Sequence, residues 1–286
     1  MKKPIVIGVG EFLWDMLPDG KKAGGAPVNF AYHASQNGAE GWAVSAVGKD
    51  GLGEELVAAA EAHGINLQVE KIDKPTGTVN VTLHNGSPEY DICRGVAWDY
   101  IPLTEKSLAL ARSAGAISFG TLAQRNDVSR ATIEKLVEAV PDDALRIFDI
   151  NLRMDFYSEQ MIRRSLEMAN VLKINDEELE IVKAMFGLGG EGTAASCHRL
   201  IENFGLKMLV LTGGSVFSSI YTLEGVSTLP TPKVNVIDSV GAGDSFSGAL
   251  TGALLAGKSI AEAHRIAVDT AAYVCTCSGA WTPPRK

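Results

Sequence analysis

The chain reads as an α/β protein: a mostly parallel central sheet flanked by helices, with a small β-sheet lid. Three observations lead there. Short aliphatic runs alternate with amphipathic segments along most of its 286 residues, which is the rhythm of βαβ units. Two stretches, about 11–24 and 67–100, break that rhythm with turn-rich, alternating sequence. The turn DSVGAGD, residues 238–244, opens into SFSGALTGALLAG, a small-residue apolar run suited to a buried helix.

Each element follows from its residues. IVIGVG from Ile5 is the first strand, followed by WAVSAVG from Trp42, AISFG from Ala116, LRIFDIN from Leu145, NVLKIN from Asn170 and KMLVLTGG from Lys207. GLGEELVAAAEAHG, VSRATIEKLVEAV and SEQMIRRSLEMAN place apolar residues three and four apart and predict helices. In the second interruption, VNVTLH and EYDIC alternate on either side of Asn85-Gly86, a strong hairpin-turn signal. The expected organisation is a core of residues 1–10, 25–66 and 101–286, with a discontinuous lid of 11–24 and 67–100.

Composition narrows the function classes. A net charge of −8, from 26 basic and 34 acidic residues without a Lys/Arg run, argues against a nucleic-acid partner. An acidic protein that binds a polyanion must gather positive potential locally, from helix N-termini, a metal or a few placed cations. The opening MKKPIVIGVGEFLWDML is interrupted by Gly, Glu and Asp too early for a signal peptide. No stretch approaches membrane-spanning length, so a cytoplasmic protein with no membrane partner is expected. Cys93, Cys197, Cys275 and Cys277 form neither a disulfide framework nor a zinc pattern, and Cys275 and Cys277 read as buried free thiols.

Gly241, Ala242 and Gly243 leave backbone amides sterically bare where a helix begins. Such amides form an anion hole for a transferring phosphoryl group. Asp244, in the first helical turn, would face the same space and could take a proton from a hydroxyl. An isolated Asp at a helix start is more often a cap or a dipole complement. Upstream, GGAPVNFA is a second glycine-rich loop running into a helix, and Asn29 there can both donate to and accept from a hydroxyl. The pair Gly8-x-Gly10 lacks the third glycine of a dinucleotide fingerprint, since Leu13 stands there. No Walker P-loop or protein-kinase motif set is present.

Taken together, GEFLWDMLP, GGAPVNFA, VGKDGLGEEL, DINLR, KINDEEL, LTGG and DSVGAGD occur in an order that resembles the carbohydrate kinases of the ribokinase family, above all the bacterial fructokinase branch. The resemblance covers nearly the whole chain. It implies a ribokinase-like fold and an ATP-dependent sugar kinase using Mg2+, with Asp244 as base and fructose as first-choice acceptor. Ribose, a keto-deoxy sugar acid, a nucleoside, or a non-catalytic sensor on the same fold stay open.

By the same resemblance Asp15, Gly25 and Asn29 match sugar-binding positions, and Arg153 matches one associated with the sugar or the transferred phosphate. Asn175 and Glu178 match a motif that places the metal-bound phosphates, with Glu178 reaching Mg2+ through water. Thr212 and Gly214 fall at a strand end that contributes to the nucleotide site. Asp238 and the residues near Ser278-Gly279 match a monovalent-cation region, a candidate for K+, although Val240 stands where some cation-dependent members have a hydroxyl residue. His264 and Asp269 lie in the region of the adenine pocket, where helix packing or surface exposure is their plainer reading. A homodimer through the lid is implied as well.

Overall fold

The computed structural model describes residues 3–18, 20–84 and 87–283, so the Asn85-Gly86 turn lies outside the described residues. The chain begins with β1 (Ile5–Val9), crosses to β2 (Leu13–Leu17) and β3 (Gly20–Gly24), and returns through α1 (Ala26–Gln36) to β4 (Glu40–Gly48), α2 (Gly51–Ala62) and β5 (Asn66–Ile72). The hairpin β6 (Gly77–His84) and β7 (Ser87–Ile92) follows. Then come α3 (Glu105–Ala111), β8 (Ala114–Gly120), α4 (Asp127–Ala139), β9 (Leu145–Asp149), α5 (Glu159–Met168) and β10 (Val171–Asn175). The remainder is α6 (Asp176–Met185), α7 (Thr193–Phe204), β11 (Met208–Gly213), β12 (Phe217–Tyr221), β13 (Val226–Pro230), α8 (Ala242–Leu255) and α9 (Ile260–Val274).

Among the described residues the large sheet has nine strands in the order β13-β12-β11-β10-β9-β8-β1-β4-β5. It is parallel except for β12 and β13, which join as antiparallel ribbons. Its central strands are buried on both faces. Ile7, Phe119, Phe148, Leu172 and Leu209 pack on one side, and Val6, Ala116, Ile147, Val171 and Met208 on the other, against Phe30 of α1, Phe246 and Leu250 of α8 and Ala267 of α9. Both residue parities are apolar, as expected of a parallel sheet covered by helices. β1 sits between β4, reached through α1, and β8, so the strand order reverses there; such a reversal opens a crevice at the carboxyl ends of the strands.

The lid is a second sheet of four strands, β3-β2-β6-β7, with β2 and β6 parallel and the outer pairs antiparallel. One boundary differs from expectation. Residues 66–72 pair with β4 along their whole length and form an edge of the large sheet, so the second lid segment begins at Gly77 rather than Leu67. Leu67 and Val69 pack against the cluster containing Leu56 and Ala60 of α2. Alternation marks a half-buried strand but not which sheet takes it. Residues 97–100, also assigned to the lid, form a short 3-10 turn whose Trp98 is fully buried in the large core.

Helix starts follow local chemistry. Asp50, Asn126 and Ser158 accept backbone N–H bonds at the N-termini of α2, α4 and α5, and reciprocal Asn175/Glu178 and Ser259/Glu262 pairs start α6 and α9. Among the described residues no helix is long and apolar enough to cross a membrane. The cysteines are free, Cys197 buried and the other three half-buried, so Cys275 and Cys277 are more accessible than expected. The apolar run that surrounds them ends in turns rather than in the core.

Candidate functional site

At the carboxyl ends of the central strands the start of α1 meets the start of α8 through Asn29 and Asp244, and the lid reaches the same turn through Lys22 of β3. Gly241 caps α8 in the left-handed region, at φ 78°, where a side chain is strained. A Cβ there would also stand 2.6 Å from Ala280 Cβ. The Ala242 N–H donates to Ser239 O at 3.2 Å, so the anion turn offers the amides of Gly241 and Gly243 rather than all three. Tight turns at helix starts often close such a bond, which sequence alone does not reveal.

Asp244 follows in the first turn. Asn29 Nδ2 donates to its Oδ2 at 2.8 Å, and Trp281 Nε1 donates to Asn29 Oδ1 at 2.8 Å, so the amide orientation is set from both ends. Burial and the neighbouring Asp149 carboxylate push Asp244 up to about 6, against the Asn29 bond, Lys173 and Arg153. Asp149, at the end of β9, pairs with Lys173 of β10 at 3.2 Å.

The lid reaches the same turn. Lys22 of β3 donates to Asp238 Oδ2 at 2.9 Å. The same oxygen accepts from Gly279 N at 3.0 Å, and Oδ1 accepts from Val240 N at 3.0 Å. Burial pushes Asp238 up, but Lys22 and the two N–H groups outweigh it and hold the carboxylate below its usual range. The expected cation-binding carboxylate is therefore engaged by a lid ammonium. Asp15 lies beside Lys22 in the β2–β3 register; burial raises its proton affinity, Lys22 lowers it and Asp238 raises it. Gly25 is the N-cap of α1, between this lid strand and Asn29.

At the start of α6, Glu178 Oε2 accepts from Asn175 N at 3.0 Å and Asn175 Oδ1 from Glu178 N at 2.7 Å. Glu178 Oε1 takes Leu152 N at 2.9 Å, which anchors the loop after β9. That loop is bent at Asn151 (φ 40°) and Met154 (φ 50°), uncommon values for residues with a Cβ. Between them Arg153 is exposed, its guanidinium bonded to Leu152 O at 2.9 Å. The structure thus brings Arg153 to the crevice rim without docking it on a carboxylate. Thr212 is the register partner of Asn175, and Gly214 continues the turn after β11. Mg2+ favours few carboxylates plus phosphate and water oxygens; one carboxylate at Glu178, already fixed by two N–H groups, fits a water-mediated role.

Four side chains of this site were not singled out from sequence: Glu11, Lys22, Asp149 and Lys173. Glu11 is buried (4% exposed), and its carboxyl is pushed up to about 7 by burial, then by Asp244, against its own backbone, Arg153 and Arg125. It lies inside GEFLWDMLP, directly after the first strand, and that position is the signal the sequence carries. Arg125 is structural: it bonds both oxygens of Asp99 at 2.7 and 3.0 Å and lies 4.0 Å over the Trp98 ring. His264, fully buried, bonds Ser218 and Ser227 at 2.8 and 2.9 Å and pins α9 to β12 and β13.

The profile described as pfkB family carbohydrate kinase matches residues 19–286. A sugar kinase from Pyrococcus horikoshii, described as uncharacterized, is 28% identical over 303 aligned residues, covering 99% of this chain and 93% of its own. Its crystal structure superposes with a TM-score of 0.83, over 98% of this chain and 95% of that one, and its complex with ATP with a TM-score of 0.81 over the same shares. Fructokinase-2 of Solanum lycopersicum is 28% identical over 99% of this chain and 91% of its own length. A fructokinase of Rhizobium leguminosarum bv. trifolii is 29% identical over 87% and 79%. With the paired glycine-rich turns meeting at one crevice, these likenesses establish that the chain belongs to the pfkB family of carbohydrate kinases and is an ATP-dependent sugar kinase.

Proposed function

We propose that the acceptor is fructose, phosphorylated at its 6-hydroxyl, with Asp244 as the base. The observation that carries the base assignment is the Asp244 carboxylate in the first turn of α8, behind the Gly241–Gly243 turn and oriented by Asn29 at 2.8 Å. A carboxylate raised to about 6 is largely ionised at neutral pH yet holds a proton better than an ordinary aspartate, which suits general-base work. The sugar oxygen attacks the γ-phosphorus, its proton passes to Asp244, and the bond from that phosphorus to the ADP oxygen breaks. Asp15, Gly25 and Asn29 bind sugar hydroxyls. The amides of Gly241 and Gly243, together with Arg153, stabilise the charge of the transferred group.

Asn175, Thr212 and Gly214 would contact the nucleotide phosphates, and Glu178 would hold Mg2+ through water. When bound, Mg2+ neutralises charge on the phosphate oxygens. The fructokinase names among the relatives, at 28% and 29% identity, support fructose over the other acceptors. ADP release measured with fructose, ribose, keto-deoxygluconate and adenosine tests this: the largest kcat/KM is expected for fructose, and a larger value for any other overturns the choice. We further propose that two copies pair through lid edges β3 and β7. Light scattering giving the mass of one chain at micromolar concentration would refute it.

A further inference from the structure

An ion pair lies beneath the first turn of α8. Lys173 leaves β10 on the face that α8 covers, and its ammonium ends 3.2 Å from Asp149 Oδ1. It also lies 3.2 Å from the place a Cβ on Gly243 would occupy, which sets the ammonium directly against the turn. The two side chains are 10% and 12% exposed. Coulomb attraction to Asp149 is the largest influence that favours the charged form of Lys173, ahead of its hydrogen bond to the same carboxylate.

A buried cation against a helix N-terminus is disfavoured twice, by desolvation and by the helix dipole. Burial alone would lower the proton affinity of Lys173, but Asp149, Glu178 and Asp244 outweigh it and keep the ammonium above its usual range. The acidic chain has therefore placed a charged group where an anion must bind.

We infer that Lys173, held by Asp149 under the first turn of α8, is a positioning residue for phosphoryl transfer: its ammonium keeps Asp244 a carboxylate and adds positive potential beneath the Gly241 and Gly243 amides. This rests on Asp244 being the base. The charged groups around Asp244 are Asp149 from β9, Arg153 from the loop after it, Lys173 from β10 and Glu11 from the end of β1, with the neutral Asn29 amide from α1. Asp149 and Lys173 act on it in opposite senses, the first favouring and the second opposing protonation.

The test is a 13C titration of protein labelled at aspartate Cγ, with the Asp244 resonance assigned by its loss in Asp244→Asn. In Asp149→Asn the Asp244 midpoint is expected to fall by about one pH unit. Adding Lys173→Met to that variant leaves no buried charge unpaired by its partner's removal, and is expected to move the midpoint back up by a similar amount. The acid limb of kcat/KM should follow both shifts. A pair that only packs would move neither. A midpoint unchanged by Asp149→Asn, or unchanged by the added Lys173→Met, overturns the inference. Wild-type turnover in Asp244→Asn would instead remove the base itself, a separate result.

Discussion

Asn29 and Asp244, 215 residues apart, meet through a 2.8 Å hydrogen bond from the amide nitrogen to the carboxylate. The bond joins the first turn of α1 to the first turn of α8, so two glycine-rich helix starts converge on one carboxylate. Asp244→Ala is expected to lower kcat by about 10²–10⁴-fold, the usual contribution of a positioned base. Asn29→Ala removes a charge-assisted bond that opposes protonation, and is expected to cost about tenfold in kcat and shift its acid limb to higher pH. Steady-state kinetics across pH 5–8 checks both.

The two raised carboxyls make stability depend on pH. Glu11 is raised from 4.5 to about 7 and Asp244 from 3.8 to about 6. Between each pair of values the folded state holds a proton that the unfolded chain has released, so stability falls as pH rises and levels off above the folded value. Each group costs on the order of 3 kcal/mol above pH 7. Glu11→Gln should therefore raise Tm by several degrees at pH 8 and change it little at pH 4.5, measured by calorimetry. An equal change at both pH values would refute ionisation as the cause.

Lys22 links the lid to the turn that precedes α8, through a 2.9 Å contact with Asp238. The Lys22 side chain is 39% exposed, so the pair is screened and its effect on stability is small. Its effect on lid position falls beside Asp15, the proposed sugar-binding carboxylate. Lys22→Met is expected to raise KM for the sugar several-fold while kcat changes less than twofold. A fall in kcat with KM unchanged would contradict this.

Gly241→Ala meets two obstacles, the left-handed backbone and Ala280 Cβ at 2.6 Å. A loss of about 1–3 kcal/mol is expected in urea denaturation, with impaired turnover because the amides move with the turn.

Glu178→Ala removes the bonds to Asn175 N and Leu152 N. The start of α6 and the loop carrying Arg153 both lose an anchor, and about 1–3 kcal/mol of stability should go with them. Glu178→Gln can still accept one of these bonds and should lose less in denaturation, while its effect on the Mg2+ dependence of turnover reads the metal role separately.

Much of the fold was legible because both periodicities are strong. Runs such as IVIGVG and LVLTGG mark strands covered on both faces, and α4 is visible in the spacing of VSRATIEKLVEAV. The sheet assignment of β5 was not: NLQVEKI alternates equally well on a lid or on the edge beside β4. The antiparallel β12 and β13 are not legible in the sequence, because their short runs mix polar and apolar residues.

The sequence by itself determined the chemistry of the starts of α1 and α8: bare amides, an aspartate in a first turn and an asparagine able to donate to and accept from a hydroxyl, each a property of a few adjacent residues. Only the tertiary structure decided how those groups are charged. Asp149 and Lys173 belong to neighbouring strands, Lys22 and Asp238 lie 216 residues apart, and Glu11 reads as an ordinary acid after a strand. Burial and Coulomb interactions depend on distance in space, and distance along the chain does not encode it.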